Sequence, residues 1–482
     1  MNRWNPLGLL LVALCVLPGL RGHADATTER PNFVVIVADD LGWRDPGFMG
    51  SDYHRTPHLD RLASEGLIFE RAYANASVCA PTRAAILSGM YGTRTGVYTV
   101  GRGATDQNAL PLITPTHQSS LSAEIVTLPE ALQQAGYATG HIGKWHLGRA
   151  TGSTGPLAHG FDTTVGASRG GGTRTYFAPY GIATLDADAT SGEYLTHRLT
   201  DEAIDFVNDH RDEPFLLWLA HYAVHTPIET EPEVLAEVQQ RPRGQLHSHP
   251  EYAAMVESLD TSVGRLLDAI EEAGLGENTV IVFVSDNGGG HRVTSMAPLS
   301  GSKGSLYEGG IRVPCVVKFP GVVPVGSRTE QPVMLMDLFP TLLELAGTPL
   351  PKDQPVDGES WVRLLGDPTH RLEERTLAWY VPVYSTGPRG NINKRPSAVI
   401  TRGRWKLMHD FETDTSKLYD LQRDPSETQD LASAQPAALA RMQRELRDWL
   451  NTTDAILPQP NPDYTGQAAN PPRERRRNRR QP

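Results

Sequence analysis

Cysteine is scarce in this chain. Its 482 residues hold three, Cys15, Cys79 and Cys315, too few for a disulfide-stapled scaffold. Long hydrophobic runs are scarce too. LGLLLVALCVLPGL (Leu7 to Leu20) falls short of the roughly 18 residues that read as a membrane span, and no later stretch reaches that length. Nor is there a surplus of positive charge. Lys and Arg number 45 against 56 Asp and Glu, for a net charge of -11, which argues against nucleic acid as the main partner. Internal repeats are missing as well, which excludes solenoid arrays.

What is present is ordinary globular material, 39% hydrophobic and 21% charged, against disordered or fibrous alternatives. The N-terminus carries Arg3, the apolar run, then small residues at Gly22, Ala24 and Ala26. This is the layout of a secretory leader over residues 1–26, predicting an exported chain, periplasmic or secreted. A retained N-terminal anchor is the competing reading, and Leu14 before Cys15 argues against lipidation. At the other end RERRRNRRQP (Arg473 to Pro482) reads as part of a disordered basic tail over 453–482, with a polyanion anchor as the weaker alternative.

Between these ends, short apolar strands alternate with amphipathic helices. NFVVIVA, PFLLWLA and TVIVFVS are near-continuous apolar runs, as in strands buried on both faces. TLPEALQQAG has a Thr cap, Pro near the start and Gly at the end, and a longer helix is expected over Met255 to Ala273. The pattern predicts an α/β fold with a largely parallel sheet over 31–366. After residue 366 short strands such as RTLAWYV, SAVITRGRWKLMHD and KLYDLQRDP, then a helix near Ala437 to Leu450, predict a small antiparallel α+β domain over 367–452.

Ligands of parallel sheets gather at the carboxyl ends of strands. Three polar clusters fall there: Asp39-Asp40, His221 to His225, and Asp286-Asn287. Three carboxylates and an amide oxygen suit a hard cation, Ca²⁺ or Mg²⁺, although each acid could equally cap a turn after its strand. In GKWHLG, Lys144 and His146 are two apart, so an extended backbone would put both on one face. Lys303 lies in the glycine-rich SGSKGSLYEGG, and His225 follows a strand. Any one of these alone would read as a solvated loop residue. Cys79 opens CAPTRAAILSG at an expected helix N-terminus, with Arg83 one turn along. It could be a core thiol, half of a bridge to Cys315, or a nucleophile. VPCVVKFP around Cys315 reads as a buried strand, which favours a free thiol there.

CAPTRAAILSG resembles the type I sulfatase signature, in which Cys-x-Pro-x-Arg directs oxidation of the cysteine to Cα-formylglycine. GYATGHIGKWHLG resembles the second signature of that family. PNFVVIVADDLGW, VFVSDNGG and SGSKGSLYEGGIRVP are similar to further family blocks in the same order. The likeness runs from about residue 31 to 430. Thr82 stands where the family more often has serine, and Ser88 where it has threonine; both keep a hydroxyl.

The resemblance implies an alkaline phosphatase-like fold, a large mixed, mostly parallel sheet sandwiched by helices plus the smaller C-terminal sheet domain. It implies that Asp39, Asp40, Asp286, Asn287 and the modified Cys79 hold one Ca²⁺ or Mg²⁺. Arg83 and Lys144 would steady the formylglycine, Lys303 and His225 would hold sulfate and protonate the leaving alcohol, and His146 would take a proton from the aldehyde hydrate. The implied activity is hydrolysis of a sulfate monoester on a carbohydrate, with a formylglycine-generating enzyme as a partner. A phosphoester or phosphonate hydrolase of the same superfamily, and a non-catalytic binder of sulfated polymer, are the alternatives. Substrate contacts are expected from 99–126, 169–197, 229–251 and 380–395, where Tyr176, Phe177, Tyr180 and Tyr384 either stack on sugar or pack the loops. Ser168 is a looser candidate for sulfate binding.

Overall fold

The computed structural model describes residues 30–101, 110–168, 170–386 and 392–464. The expected leader over 1–26 and the Arg-rich end from 473 lie outside the described residues.

The strand NFVVIVA forms β1 (Asn32–Ala38), and all seven residues are buried. Alternation across a strand sends successive side chains to opposite faces. Phe33, Val35 and Val37 enter one apolar core, and Val34, Ile36 and Ala38 enter the other. The strand is therefore covered on both sides, as its continuous hydrophobicity requires. Seven more strands complete the sheet: β2 (Leu67–Phe69), β3 (Ala138–Gly143), β4 (Thr163–Val165), β5 (Phe215–Ala220), β6 (Thr279–Ser285), β7 (Cys315–Lys318) and β8 (Ser327–Thr329). Their order is β8-β2-β7-β6-β1-β5-β3-β4. The run from β6 to β4 is parallel, and β7 lies antiparallel between β6 and β2.

Helices α1 (Pro57–Glu65), α4 (Leu195–Asp209) and α5 (Pro250–Glu272) bury Leu59, Leu199, Leu259 and their neighbours against one face. Helices α2 (Cys79–Ser88) and α3 (Leu128–Gln134) cover the other with Ala84, Ile86, Leu87 and Leu132. Thr127 and Glu130 close a capping box that starts α3 as expected. Helix α5 begins five residues before the expected Met255, because Pro250 takes its first turn and the His249 ring accepts from Tyr252 N–H. Every residue of α2 is buried, and the helix stops at Gly89, whose φ of 69° lets its N–H reach Ala85 O. A Cβ there would meet the Phe339 ring at 2.9 Å, so glycine is required by both conformation and space.

A second, antiparallel sheet comprises β9 (Leu377–Val381), β10 (Ser397–Arg402), β11 (Trp405–Asp410) and β12 (Thr415–Asp420) in that order, packed by α6 (Pro436–Thr452). The chain expected to be free from 453 instead stays docked to 464. Gln459–Pro460 pairs with Leu112–Ile113, and Asn461 Nδ2 donates to Leu110 O. Cys79 and Cys315 are both buried free thiols, so the bridge between them is excluded.

Candidate functional site

Four adjacent parallel strands, β6, β1, β5 and β3, end at one place. They deliver Asp286 and Asn287, Asp39 and Asp40, the His221–His225 segment, and Lys144 with His146, respectively. The N-terminus of α2 brings Cys79 to the same point. Its Sγ lies 3.4 Å from Asp39 Oδ1 and 3.9 Å from Asp40 Oδ1.

Lys144 Nζ donates to Asp39 Oδ2 at 2.5 Å, with both side chains fully buried. Arg83 reaches across from α2, donating from Nε to Asp286 Oδ2 at 2.8 Å and from a terminal nitrogen to Lys144 O at 2.8 Å. Lys303 Nζ donates to Asp40 Oδ2 at 2.6 Å, and His225 Nε2 stands 3.7 Å from the same oxygen. Asn287 Nδ2 donates to Asp40 Oδ1, which turns its own Oδ1 inward, buried and without a hydrogen-bond partner. Asp39, Asp40, Cys79 and Asp286 each present a ligand atom within 4.8 Å of the others.

Asp39, Asp40, Cys79, Arg83, Lys144, His225, Asp286, Asn287 and Lys303 thus meet, and His146 lies within electrostatic reach of Lys144, Arg83 and Asp39. The reason for Lys144 and His146 differs from the one expected. The segment is not extended: Gly143 and His146 have φ of 100° and 61°, and this turn carries the two side chains into the site. Asp40 is also left-handed, at 63°. Such backbone costs a non-glycine residue about 1–2 kcal/mol and persists only where surroundings impose it. His221 does not join the cluster. It is buried, neither of its ring nitrogens has a hydrogen-bond partner, and burial pushes it down to about 3, so it is neutral at pH 7. Tyr176, Tyr180 and Tyr384 are buried and hydrogen-bonded inside the protein, so they pack the loops. Ser168 accepts from Tyr222 OH.

The electrostatics follow from burial opposed by neighbours. Burial pushes Asp39 up, but Lys144, His225, Arg83 and Lys303 together hold it well below the usual carboxylate range. Burial and Asp39 raise Asp286 despite Arg83. Burial, then Asp286 and Asp39, push the Cys79 thiol far up, so it is protonated and a poor nucleophile at neutral pH. Burial, Lys144 and Arg83 drive His146 well below its ordinary value, which leaves a neutral imidazole able to accept a proton.

A hard cation fits this donor set. Three carboxylates and an orphaned amide oxygen supply oxygen ligands, and Asn287 Oδ1 lacks any other partner. Sequence reasoning missed Lys394. It sits beside Lys303 on the C-terminal side, and a Cβ on Gly304 would lie 2.9 Å from its Nζ. Burial, then Lys303, lowers its ammonium to about 8. Its only sequence signal is its place in an expected substrate loop.

Two family models match the chain: the sulfatase model over residues 31–348, and the C-terminal model of N-sulphoglucosamine sulphohydrolase over 302–455. A sulfatase of Formosa agariphila is 32% identical, covering 93% of each chain. N-acetylgalactosamine-6-sulfatase of Canis lupus familiaris is 33% identical over 76% of this chain and 72% of its own. Among solved structures, Ps i-CgsB in complex with k-i-k-neocarrahexaose superposes with a TM-score of 0.74 at 30% identity, covering 87% of this chain and 93% of that one.

Proposed function

The chain belongs to the sulfatase family, the type I sulfatases of the alkaline phosphatase superfamily, and is a sulfuric ester hydrolase; from that premise we propose that it hydrolyses sulfate monoesters of a carbohydrate, using Cys79 converted to formylglycine. The observation that carries the second half is the state of Cys79. A buried thiol pushed up by two carboxylates is unfit to attack sulfur, yet it occupies the centre of the site. Its conversion would be made by a formylglycine-generating enzyme that reads Cys79, Pro81 and Arg83.

Asp39, Asp40, Asp286 and Asn287 would hold one Ca²⁺ or Mg²⁺, with position 79 completing the shell. When bound, the ion supplies a stronger oxygen nucleophile at neutral pH, and the aldehyde hydrate at position 79 supplies two hydroxyls on one carbon. Arg83 and Lys144 steady the charge around position 79. Lys303 and His225 bind sulfate oxygens, and one of them gives a proton to the departing alcohol as its oxygen–sulfur bond breaks. Neutral His146 accepts the proton whose loss frees sulfate.

The carbohydrate reading draws on the relatives that act on N-acetylgalactosamine-6-sulfate or bind neocarrahexaose. It is also favoured by a cleft that runs from Ser77 and Gly304, beside the site, to Lys394, Arg395 and Lys417, three cations against the single acid Asp410. We read 31–366 and 367–452 as catalytic and C-terminal domains, and the chain as exported, periplasmic or secreted. Among the described residues no helix is long and apolar enough to cross a membrane.

The test has two arms. Peptide mass spectrometry across position 79, on protein co-expressed with a maturating enzyme, should find the aldehyde; an unmodified thiol would overturn the mechanism. Turnover of an aryl sulfate should exceed that of the matching aryl phosphate. The reverse order would favour the phosphoester reading, and no turnover of either would favour a binding protein.

A further inference from the structure

A second buried cluster lies behind the first. Asp45, His54 and His247 each present a ligand atom within 4.8 Å of the others. His54 Nδ1 faces the Asp45 carbonyl oxygen at 3.1 Å, and a carbonyl can only accept, so this nitrogen carries the proton. His247 Nδ1 likewise faces the Asp52 carboxylate at 2.8 Å. Both Nε2 atoms are left as lone pairs, buried and without hydrogen-bond partners. The rings stand 4.7 Å apart between centroids, and His247 Nε2 is 3.5 Å from Asp45 Oδ1. Asp45 itself is held by Gly42 N–H and Tyr252 OH, each at 2.6 Å, and by the Thr294 hydroxyl.

His247 Nε2 faces this fixed carboxylate with no donor between them, and His54, which meets the same Asp45 Oδ1 with its Nδ1 at 3.7 Å, keeps its own Nε2 buried and unpartnered. Buried acceptors without a partner cost about 1–3 kcal/mol each, so the arrangement calls for a cation. Two imidazoles and one carboxylate suit a borderline ion rather than the hard cation expected at the neighbouring site. Each ring is also fixed through its other nitrogen by an oxygen acceptor, the support that metal-bound histidines receive. We infer that Asp45, His54 and His247 form a second metal site, for a divalent ion of the zinc class. The ion ties the loop that follows β1 to the segment leading into α5. A surface cleft is lined by Leu246 and Ser248, the chain neighbours of His247, and by Thr294, whose hydroxyl donates to Asp45. Tyr252 OH lies 2.6 Å from Asp45 Oδ2 and 3.4 Å from Asp40 O, so the ion would brace the backbone that carries Asp40.

The test is metal content of the whole protein, saturated with calcium to occupy the oxygen site and then equilibrated with zinc. One zinc per chain is expected, lost in His54→Gln and in His247→Gln. Asp52→Asn, which keeps all three ligands, should weaken zinc by about 10- to 100-fold. Cobalt(II) in the unaltered protein should give the visible bands of a low-coordinate ion, a readout that needs no variant to fold. The inference is overturned if calcium-saturated protein retains no zinc, if both histidine variants retain it undiminished, or if the cobalt spectrum matches the aqueous ion. None of these readings depends on sulfate turnover, so this inference and the catalytic one fail separately.

Discussion

Replacing Lys144 by alanine tests the electrostatic account of the site most directly. Lys144 and Asp39 are both fully buried and 2.5 Å apart, so the substitution strands a carboxylate in the interior. Breaking a buried pair on one side costs about 3–5 kcal/mol. His225, Arg83 and Lys303 still pull on Asp39, which places the expected loss at the lower end, about 3 kcal/mol at pH 7 without metal. The pH dependence has a definite sign. Asp39 is depressed in the folded protein, so its contribution is present above the ordinary carboxylate value near 3.8 and is lost as pH falls through the lower folded value. In the variant burial is less opposed, and Asp39 takes up a proton at higher pH. The gap between the two proteins should therefore be widest near neutrality and narrow as pH falls toward 4. Urea unfolding in chelator at pH 7, 5.5 and 4 measures it. A loss below 1 kcal/mol at pH 7, or one that grows on acidification, would refute the reasoning.

Three further outcomes are expected. Asn287→Ala removes the one neutral ligand, whose Oδ1 has no other partner, and should weaken calcium by at least tenfold in calorimetry while Cys79 modification is retained. Since burial, Lys144 and Arg83 hold His146 well below its ordinary 6.5, the acid limb of kcat/KM should lie well below 6.5, and a limb centred at 6.5 would assign that proton elsewhere. Lys394→Ala should raise KM for a multiply sulfated oligosaccharide and leave KM for a small aryl sulfate within twofold; equal effects on both would deny Lys394 a role beyond the sulfate pocket.

How much of this was legible depended on periodicity and spacing. NFVVIVA and TVIVFVS could be read as doubly buried strands because nothing polar interrupts them, and the acids that follow could be placed at strand ends. That β6, β1, β5 and β3 lie side by side could not be read, since strand order leaves no mark on local sequence. The turn at His146 was misjudged for the same reason. Its left-handed backbone is imposed by packing, and Gly143 alone signalled it. Lys394 and the Asp45, His54 and His247 cluster join residues far apart in the chain, with no spacing pattern to announce them. The aromatic residues of the expected loops carried an ambiguous signal, and burial decided it in favour of packing for Tyr176, Tyr180 and Tyr384.

The charge balance of the site makes a last prediction. Three carboxylates, Asp39, Asp40 and Asp286, face three cations, Lys144, Arg83 and Lys303, each pair within hydrogen-bonding distance. The side chains alone are therefore close to neutral, which lowers the cost of burying so many charges together. A neutral site has little hold on an anion. A divalent cation would add two positive charges and leave the lysines less committed to their carboxylates, so sulfate and metal should bind cooperatively. Linkage requires the effect to be mutual, and couplings of this kind run to about 1–3 kcal/mol, or 5- to 150-fold. Titrating sulfate against intrinsic fluorescence with and without calcium measures one side, and titrating calcium with and without sulfate measures the other. The two factors should agree. Equal sulfate affinity in both conditions would mean that Lys303 and His225 hold the anion without help from the ion.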